Sequence, residues 1–322
     1  MNSRGVTLIE LLVGIVITLL ILGAIYQTYI NLFKGFKVSS ETAESQIETD
    51  IALEIMRIDI EHAGYGIGAN ELKLPIEWDS TNSSLTLRSV LNLTRELYSP
   101  WILVKCDSSS CSVVLNPDNV DVYNSNFVFI NADSENFTVN GNIASLNSAA
   151  SPGSYIGVMY EDLPNGCSSQ VCYEITYELT NDTLPTCHPS TRNLKRKVDN
   201  GPGVSVLHCV SDFKVTFDID TNGDGVIDSY NALFEDLDSD GNGVDRNEVF
   251  YQIKKVNVYI LAHEGTKDRN FSFTNYTSCS TDVSAKCVSI GNQELKLPLS
   301  DFENYRWRTI KLSVKPMNLG GK

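Results

Sequence analysis

Met1-Asn-Ser-Arg-Gly5 and then Val6-Thr-Leu-Ile-Glu10-Leu-Leu-Val-Gly-Ile-Val-Ile-Thr-Leu-Leu-Ile-Leu-Gly-Ala-Ile-Tyr26 open the chain. From Val6 to Tyr26 the only charged residue is Glu10, and about twenty apolar residues suffice to cross a bilayer as a helix. A secretory signal has a shorter apolar core that ends at a small-residue cleavage site, and no such site follows here. A plain anchor explains the length but not the acid. A carboxylate five residues into an apolar span costs free energy unless it is given a partner, so Glu10 marks a function.

This string resembles the N-terminal signal of type IV prepilins and pseudopilins: a short basic leader with Arg4, then Gly5, then an apolar segment with Glu at its fifth position, Glu10. The resemblance implies cleavage after Gly5 by the membrane prepilin peptidase, which removes residues 1–5, and N-methylation of Val6. It also implies that residues 6–30 form a transmembrane helix that later enters a filament core. There the freed amino group and Glu10 could each be neutralised by the other's counterpart on a neighbouring subunit, which would set the register between helices. The acid lies near the helix N-terminus, where the macrodipole favours it.

Beyond the span, residues 31–64 are expected to continue the helix. No Pro occurs before Pro75, and Ile47, Ile51, Ile55 and Ile58 recur at helical spacing, so this stripe is expected to face the body. Gly64 is the expected C-cap. A helix from Val6 to Ala63 would measure about 87 Å.

Residues 65–322 read as a β-rich globular body. The 42% hydrophobic content is that of a folding chain, and the net charge of −15 argues against general affinity for nucleic acid. From about residue 82 apolar residues alternate with polar ones in short segments, as at Tyr173-Ile175-Tyr177-Leu179, Phe213-Val215-Phe217, Val256-Val258-Ile260 and Ile310-Leu312-Val314. Such alternation predicts antiparallel sheets with one solvated face. The fold class is therefore α+β: a type IV pilin-like fold with a long N-terminal helix packed on a large antiparallel β-sheet domain and disulfide-stapled loops. Loops are expected at Asn147–Ser154 and Asp199–Gly203, and the basic run Arg192-Asn-Leu-Lys195-Arg196-Lys197 reads as another, solvated one.

All eight cysteines follow residue 100, and their even number reads as four disulfides made in an oxidising compartment. Spacing does not fix their connectivity. Pairing in order, Cys106–Cys111, Cys167–Cys172, Cys187–Cys209 and Cys279–Cys287, encloses short segments rich in Ser, Asp or Gly. Zinc is the competing reading, since Cys167 and Cys172 are close and His188 and His208 each adjoin a cysteine. No C-x-x-C occurs and the finger spacings are absent.

Between Asp218 and Glu248 ten acids stand against one base, Arg246. Asp220, Asn222, Asp224, the backbone of Val226, and Asp228 match the ligand positions of an EF-hand-type calcium loop, with Gly225 at its turn. Asn231 stands where the closing Glu is usual, and Phe213–Asp220 reads as a strand, not an incoming helix. A second cluster, Asp236, Asp238, Asp240, Asn242 and Glu248, allows two registers, starting at Asp236 or at Asp238. The expected cofactor is Ca2+, against the bland alternative of a solvated acidic turn.

The helix end Ile51-Ala-Leu-Glu-Ile-Met-Arg-Ile-Asp-Ile-Glu-His-Ala-Gly64-Tyr-Gly-Ile-Gly68 and the C-terminal Tyr305-Arg-Trp-Arg-Thr-Ile-Lys-Leu-Ser-Val-Lys-Pro-Met-Asn-Leu319 look like the corresponding parts of PilW-type minor pilins, and GspJ-type pseudopilins share the plan. This implies a minor pilin that initiates or caps a pilus. Its implied partners are other minor and major pilins, the prepilin peptidase, the inner-membrane assembly platform and a tip adhesin. The alternatives are a minor pseudopilin of type II secretion and an adhesive tip module. The expected location is the inner membrane with a periplasmic body, then the cell surface. No catalytic motif was found among the nucleophile-elbow, metalloprotease, P-loop and dinucleotide patterns, so an enzyme is not expected.

Overall fold

The computed structural model describes residues 8–65, 73–89, 101–117, 119–125, 127–132, 137–159, 173–199 and 201–319. Gly5, Val6 and the expected Cys167–Cys172 pair lie outside them. The chain divides into two compact units, Met1–Ile47 and Glu48–Lys322, so the second takes in the last turns of the helix.

Helix α1 runs from Leu8 to His62. Gly64 follows at φ +83°, a left-handed conformation that glycine adopts freely, and its N–H donates to the Arg88 carbonyl at 2.8 Å. A Cβ there would lie 2.6 Å from Leu319 Cδ2. Gly64→Ala is therefore expected to destabilise the body by about 1–3 kcal/mol, read as a lowered urea midpoint at unchanged slope.

Within the second unit α1 buries Thr49, Ala52, Met56, Asp59 and Ile60, and Ala63 just beyond it. The expected stripe is not the docked one. Ile47 and Ile51 are 61% and 57% exposed, and Ile55 and Ile58 are half-buried. The helix carries two apolar stripes about 100° apart, and the body takes the one that includes Asp59. That carboxylate receives Arg196 Nε at 2.6 Å, Arg196 Nη2 at 3.0 Å and the Tyr177 hydroxyl at 2.5 Å.

The main sheet opens with the hairpin β1 (Ile76–Asp79) and β2 (Ser84–Ser89). An insertion then makes a separate five-stranded sheet from β3 (Trp101–Cys106), β4 (Cys111–Leu115), β5 (Phe127–Asn131), β6 (Phe137–Gly141) and β7 (Gly153–Met159), with α2 (Ile143–Ala149) before β7. The main sheet resumes with β8 (Tyr173–Thr180), β9 (Arg192–Val198), β10 (Val204–Ile219) and the short β11 (Ser229–Ala232). After α3 (Arg246–Gln252) comes β12 (Ile253–Glu264). A second insertion forms a three-stranded sheet, β13 (Thr277–Ser278), β14 (Lys286–Ile290) and β15 (Gln293–Lys296), before β16 (Arg306–Val314) ends the main sheet.

The main-sheet order is β1-β2-β8-β9-β10-β12-β16, with β11 on β10, and every pairing is antiparallel. Without the insertions it is a plain meander. Each insertion leaves and re-enters at paired residues: Ser89 stands opposite Tyr173, and Glu264 opposite Arg306.

All four alternating runs are strands, β8, β10, β12 and β16. Their α1-facing residues, such as Tyr177, Phe213, Val258 and Ile310, form the main core with Met56 and Ile60. The expectation of a solvated second face fails at β12. Tyr259 and Leu261 on that face pack with Val288, Leu295 and Trp307, because the second insertion covers it. The basic run 192–197 is strand β9, not a loop; Arg196 turns inward to Asp59 while Lys195 meets Asp182 at 2.5 Å. Residues 147–154 are not a simple loop either, since they hold the end of α2 and the start of β7. Disulfides join Cys106 to Cys111, Cys187 to Cys209 and Cys279 to Cys287.

Candidate functional site

Glu10 is in the first turns of α1, within Leu8–Phe33, a segment long and apolar enough to cross a membrane and without any burial inside the structure. The geometry therefore leaves a sleeve of exposed Leu, Ile and Val side chains around that part of the helix. In water such a surface would drive association; in a bilayer or a helix bundle it is satisfied.

The acidic segment folds as two copies of one turn, 18 positions apart. In the first, Asp220 accepts the N–H groups of Gly223 and Gly225, both at 2.7 Å. In the second, Asp238 accepts those of Gly241 at 2.7 Å and Gly243 at 3.0 Å. Gly223, Gly225, Gly241 and Gly243 all have positive φ, between 76° and 93°, which explains the glycines. In this repeat Asp238 stands where Asp220 does in the first turn. Asp236 belongs to the preceding turn instead, where it accepts the Leu233 N–H at 2.7 Å.

The two turns differ in what completes them. Asp224 accepts Val226 N–H at 2.8 Å, and Asp228 accepts the N–H and hydroxyl of Thr221 at 2.9 Å. Lys254 of β12 reaches Asp220 Oδ2 at 3.1 Å, so a protein cation already faces that acid. Burial raises the Asp220 pKa, but the Gly225 N–H, Lys254 and the Gly223 N–H together hold it below the ordinary range. Asn231 turns away, accepting from Tyr259 at 2.5 Å and Thr216 at 3.1 Å.

In the second turn, oxygens of Asp238, Asp240 and Glu248 lie within 4.8 Å of one another. Glu248 comes from α3, whose N-cap Asp245 accepts the Glu248 N–H at 2.9 Å while Glu248 accepts the Asp245 N–H at 2.9 Å. This capping box aims the buried Glu248 at Ser239 and the turn. Among the described residues this is the one all-acid group so convergent. Its hard carboxylate oxygens are the donors that Ca2+ takes. Sequence reading missed Lys254, which is remote and has no local signal, and missed α3, although the Asp245-x-x-Glu248 pattern announces it.

The end of α1 and the C-terminal segment meet in the second unit. Met317 N–H donates to the Glu61 carbonyl at 2.9 Å, and Leu319 packs in the main core beside Gly64. Arg57 pairs with Glu54 at 2.6 Å and with Glu61, and lines an open groove with Ser313, Val314, Lys315 and Met317.

No curated protein matches the chain, and no solved structure does. Residues 1–26 match the family model of the prokaryotic N-terminal methylation motif, which, with the apolar helix and the antiparallel body, supports a place in the type IV pilin and pseudopilin class.

Proposed function

We propose that the chain is a PilW-like minor pilin that joins other minor pilins to initiate or cap a type IV pilus, its body held outside the cytoplasm. The observation that carries this reading is Glu10 at the fifth position of the apolar segment in the matched motif, a place where an acid is costly to hold in a bilayer. The meeting of the two PilW-like ends around Gly64 supports it, as does the exposed Ile47-Ile51 face of α1, which suits a neighbouring helix. Three disulfides among the described residues suit an oxidising compartment. Deleting the gene tests the reading: surface pili are expected to be lost with protein secretion intact. Retained pili with trapped exoproteins would assign the chain to a type II secretion machine.

In the same reading Ca2+ rigidifies the exposed body, bound first at Asp238, Asp240 and Glu248. The Asp220, Asn222, Asp224 and Asp228 turn, with Lys254 against it, is the weaker site. With affinities of ~0.1–1 mM, about 1 mM free Ca2+ should raise the melting temperature by about 1–5 °C over chelator. Asp238→Ala and Glu248→Gln should each abolish the rise, whereas Asp220→Asn should leave most of it. An equal melting temperature in Ca2+ and chelator would remove the claim.

A further inference from the structure

The edges of the main sheet are guarded by charge: β1 exposes Glu77 and Asp79 at one end of the strand order, and β16 exposes Arg306 and Lys311 at the other. Such charges keep foreign strands off an open ladder. β4, which ends the order of the five-stranded sheet, has no such guard. From Ser108 to Pro117 the sequence holds no charged residue, and Val113, Val114 and Leu115 are 36%, 55% and 48% exposed. β3 pairs with one side of β4, and among the described residues no strand pairs with the other.

Local structure holds this edge extended. The Cys106–Cys111 disulfide staples the β3–β4 hairpin at its turn, and the Cys111 N–H donates to the Asn147 side chain on α2. Val104 stands opposite Val113 and Leu103 opposite Leu115, so Val114 is the extra residue of a bulge. A bulge re-aims side chains, and here two successive apolar ones, Val114 and Leu115, end in solvent. A strand already ordered in this way loses little entropy when another joins it.

We propose that the free edge of β4 takes up an extended apolar segment of another polypeptide, flanked by lysine or arginine, as an added strand of the five-stranded sheet. An open row of backbone N–H and C=O groups is paired throughout by a strand. Charge selects which strand. Residues 101–159 carry five acids, Asp107, Asp118, Asp121, Asp133 and Glu135, against one base, Lys105. Asp107 and Asp118 bound the uncharged stretch in the sequence, so a second copy would bring acids towards acids, whereas a basic-flanked segment meets opposite charge at each end. Length argues the same way: an edge of five residues, about 17 Å, buries far less than the ~1,200 Å² that holds two globular bodies together. The contact is separate from the one at Glu10 and does not rest on the pilus assignment.

The test uses the full chain in detergent micelles and a synthetic peptide, Val-Thr-Val-Thr-Val with two lysines at each end, read by hydrogen-exchange mass spectrometry. With about 1 mM peptide, the amides of residues 111–115 should exchange about fivefold or more slowly. The same peptide with glutamates for lysines should protect far less at low salt, and one methylated at every backbone nitrogen should not protect at all. Val114→Lys, a change at an exposed side chain, should remove the protection and leave the melting temperature within about 2 °C. Unchanged exchange at residues 111–115 overturns the proposal. Equal protection by the methylated peptide overturns strand pairing, and equal protection by the glutamate peptide overturns the basic partner. Dimers of the wild-type chain in sedimentation, lost in Val114→Lys, would give the edge to a second copy and overturn it as well.

Discussion

Asp59→Ala is expected to destabilise the body by about 3–5 kcal/mol, the largest effect of any single substitution considered. Asp59 is buried on α1 and takes two hydrogen bonds from Arg196 and one from Tyr177. Without the carboxylate, the guanidinium of a strand residue 13% exposed loses both hydrogen bonds and the opposite charge that Asp59 supplies. Burial works to lower the Arg196 pKa while the Asp59 contacts raise it, with a net rise, so the arginine cannot escape by deprotonation. Burial first, and then the Asp59 charge, pushes the Tyr177 phenol well above its ordinary range, so it remains a donor. Urea unfolding followed by tryptophan fluorescence would measure the loss. The triple replacement Asp59→Leu, Arg196→Met and Tyr177→Phe should recover most of it, because an apolar substitute for a whole buried pair is often neutral. A loss under about 1 kcal/mol for Asp59→Ala would mean that the latch does not hold α1 on the sheet.

Glu10→Leu should have opposite effects on two readouts. Insertion into the membrane should be unimpaired, because removing an intramembrane acid relieves up to about 3 kcal/mol. Recovery with partner pilins should fall about tenfold or more, which corresponds to about 1.4 kcal/mol or more of lost contact. Quantifying both in one membrane extract separates a registering contact from a mere anchor. If co-purification is unchanged while the chain remains inserted, Glu10 has no role in assembly.

What the sequence made legible follows from how local each signal is. The strands β8, β10, β12 and β16 could be read because alternation is a property of six to ten neighbouring residues. The side of α1 that docks could not, because Ile47-Ile51-Ile55 and Ala52-Met56-Ile60 are equally periodic. The decision between them rests on Asp59 meeting residues 118 and 137 positions away. Burial on both faces of β12 depends on a hairpin that returns from residues 286–296. In the acidic segment the turn chemistry was readable from Asp, Asn and Gly spacing. Which cluster converges was not, since it rests on Lys254 reaching the first turn from β12 and on the α3 cap turning Glu248 back onto the second.

The way the two insertions join the main sheet has a consequence for how this chain can vary. Ser89 and Tyr173 are cross-strand neighbours, as are Glu264 and Arg306, so whatever lies between each pair begins and ends a few ångströms apart. Lengthening such an excursion costs only about 0.6 kcal/mol per doubling in closure entropy, and it leaves the pairing of the meander untouched. The frame thus behaves as a chassis with two sockets. Homologous chains are expected to keep Asp59, Arg196 and the strand register while differing in the size and content of residues 90–172 and 265–305, which is where specialisation for different partners would accumulate.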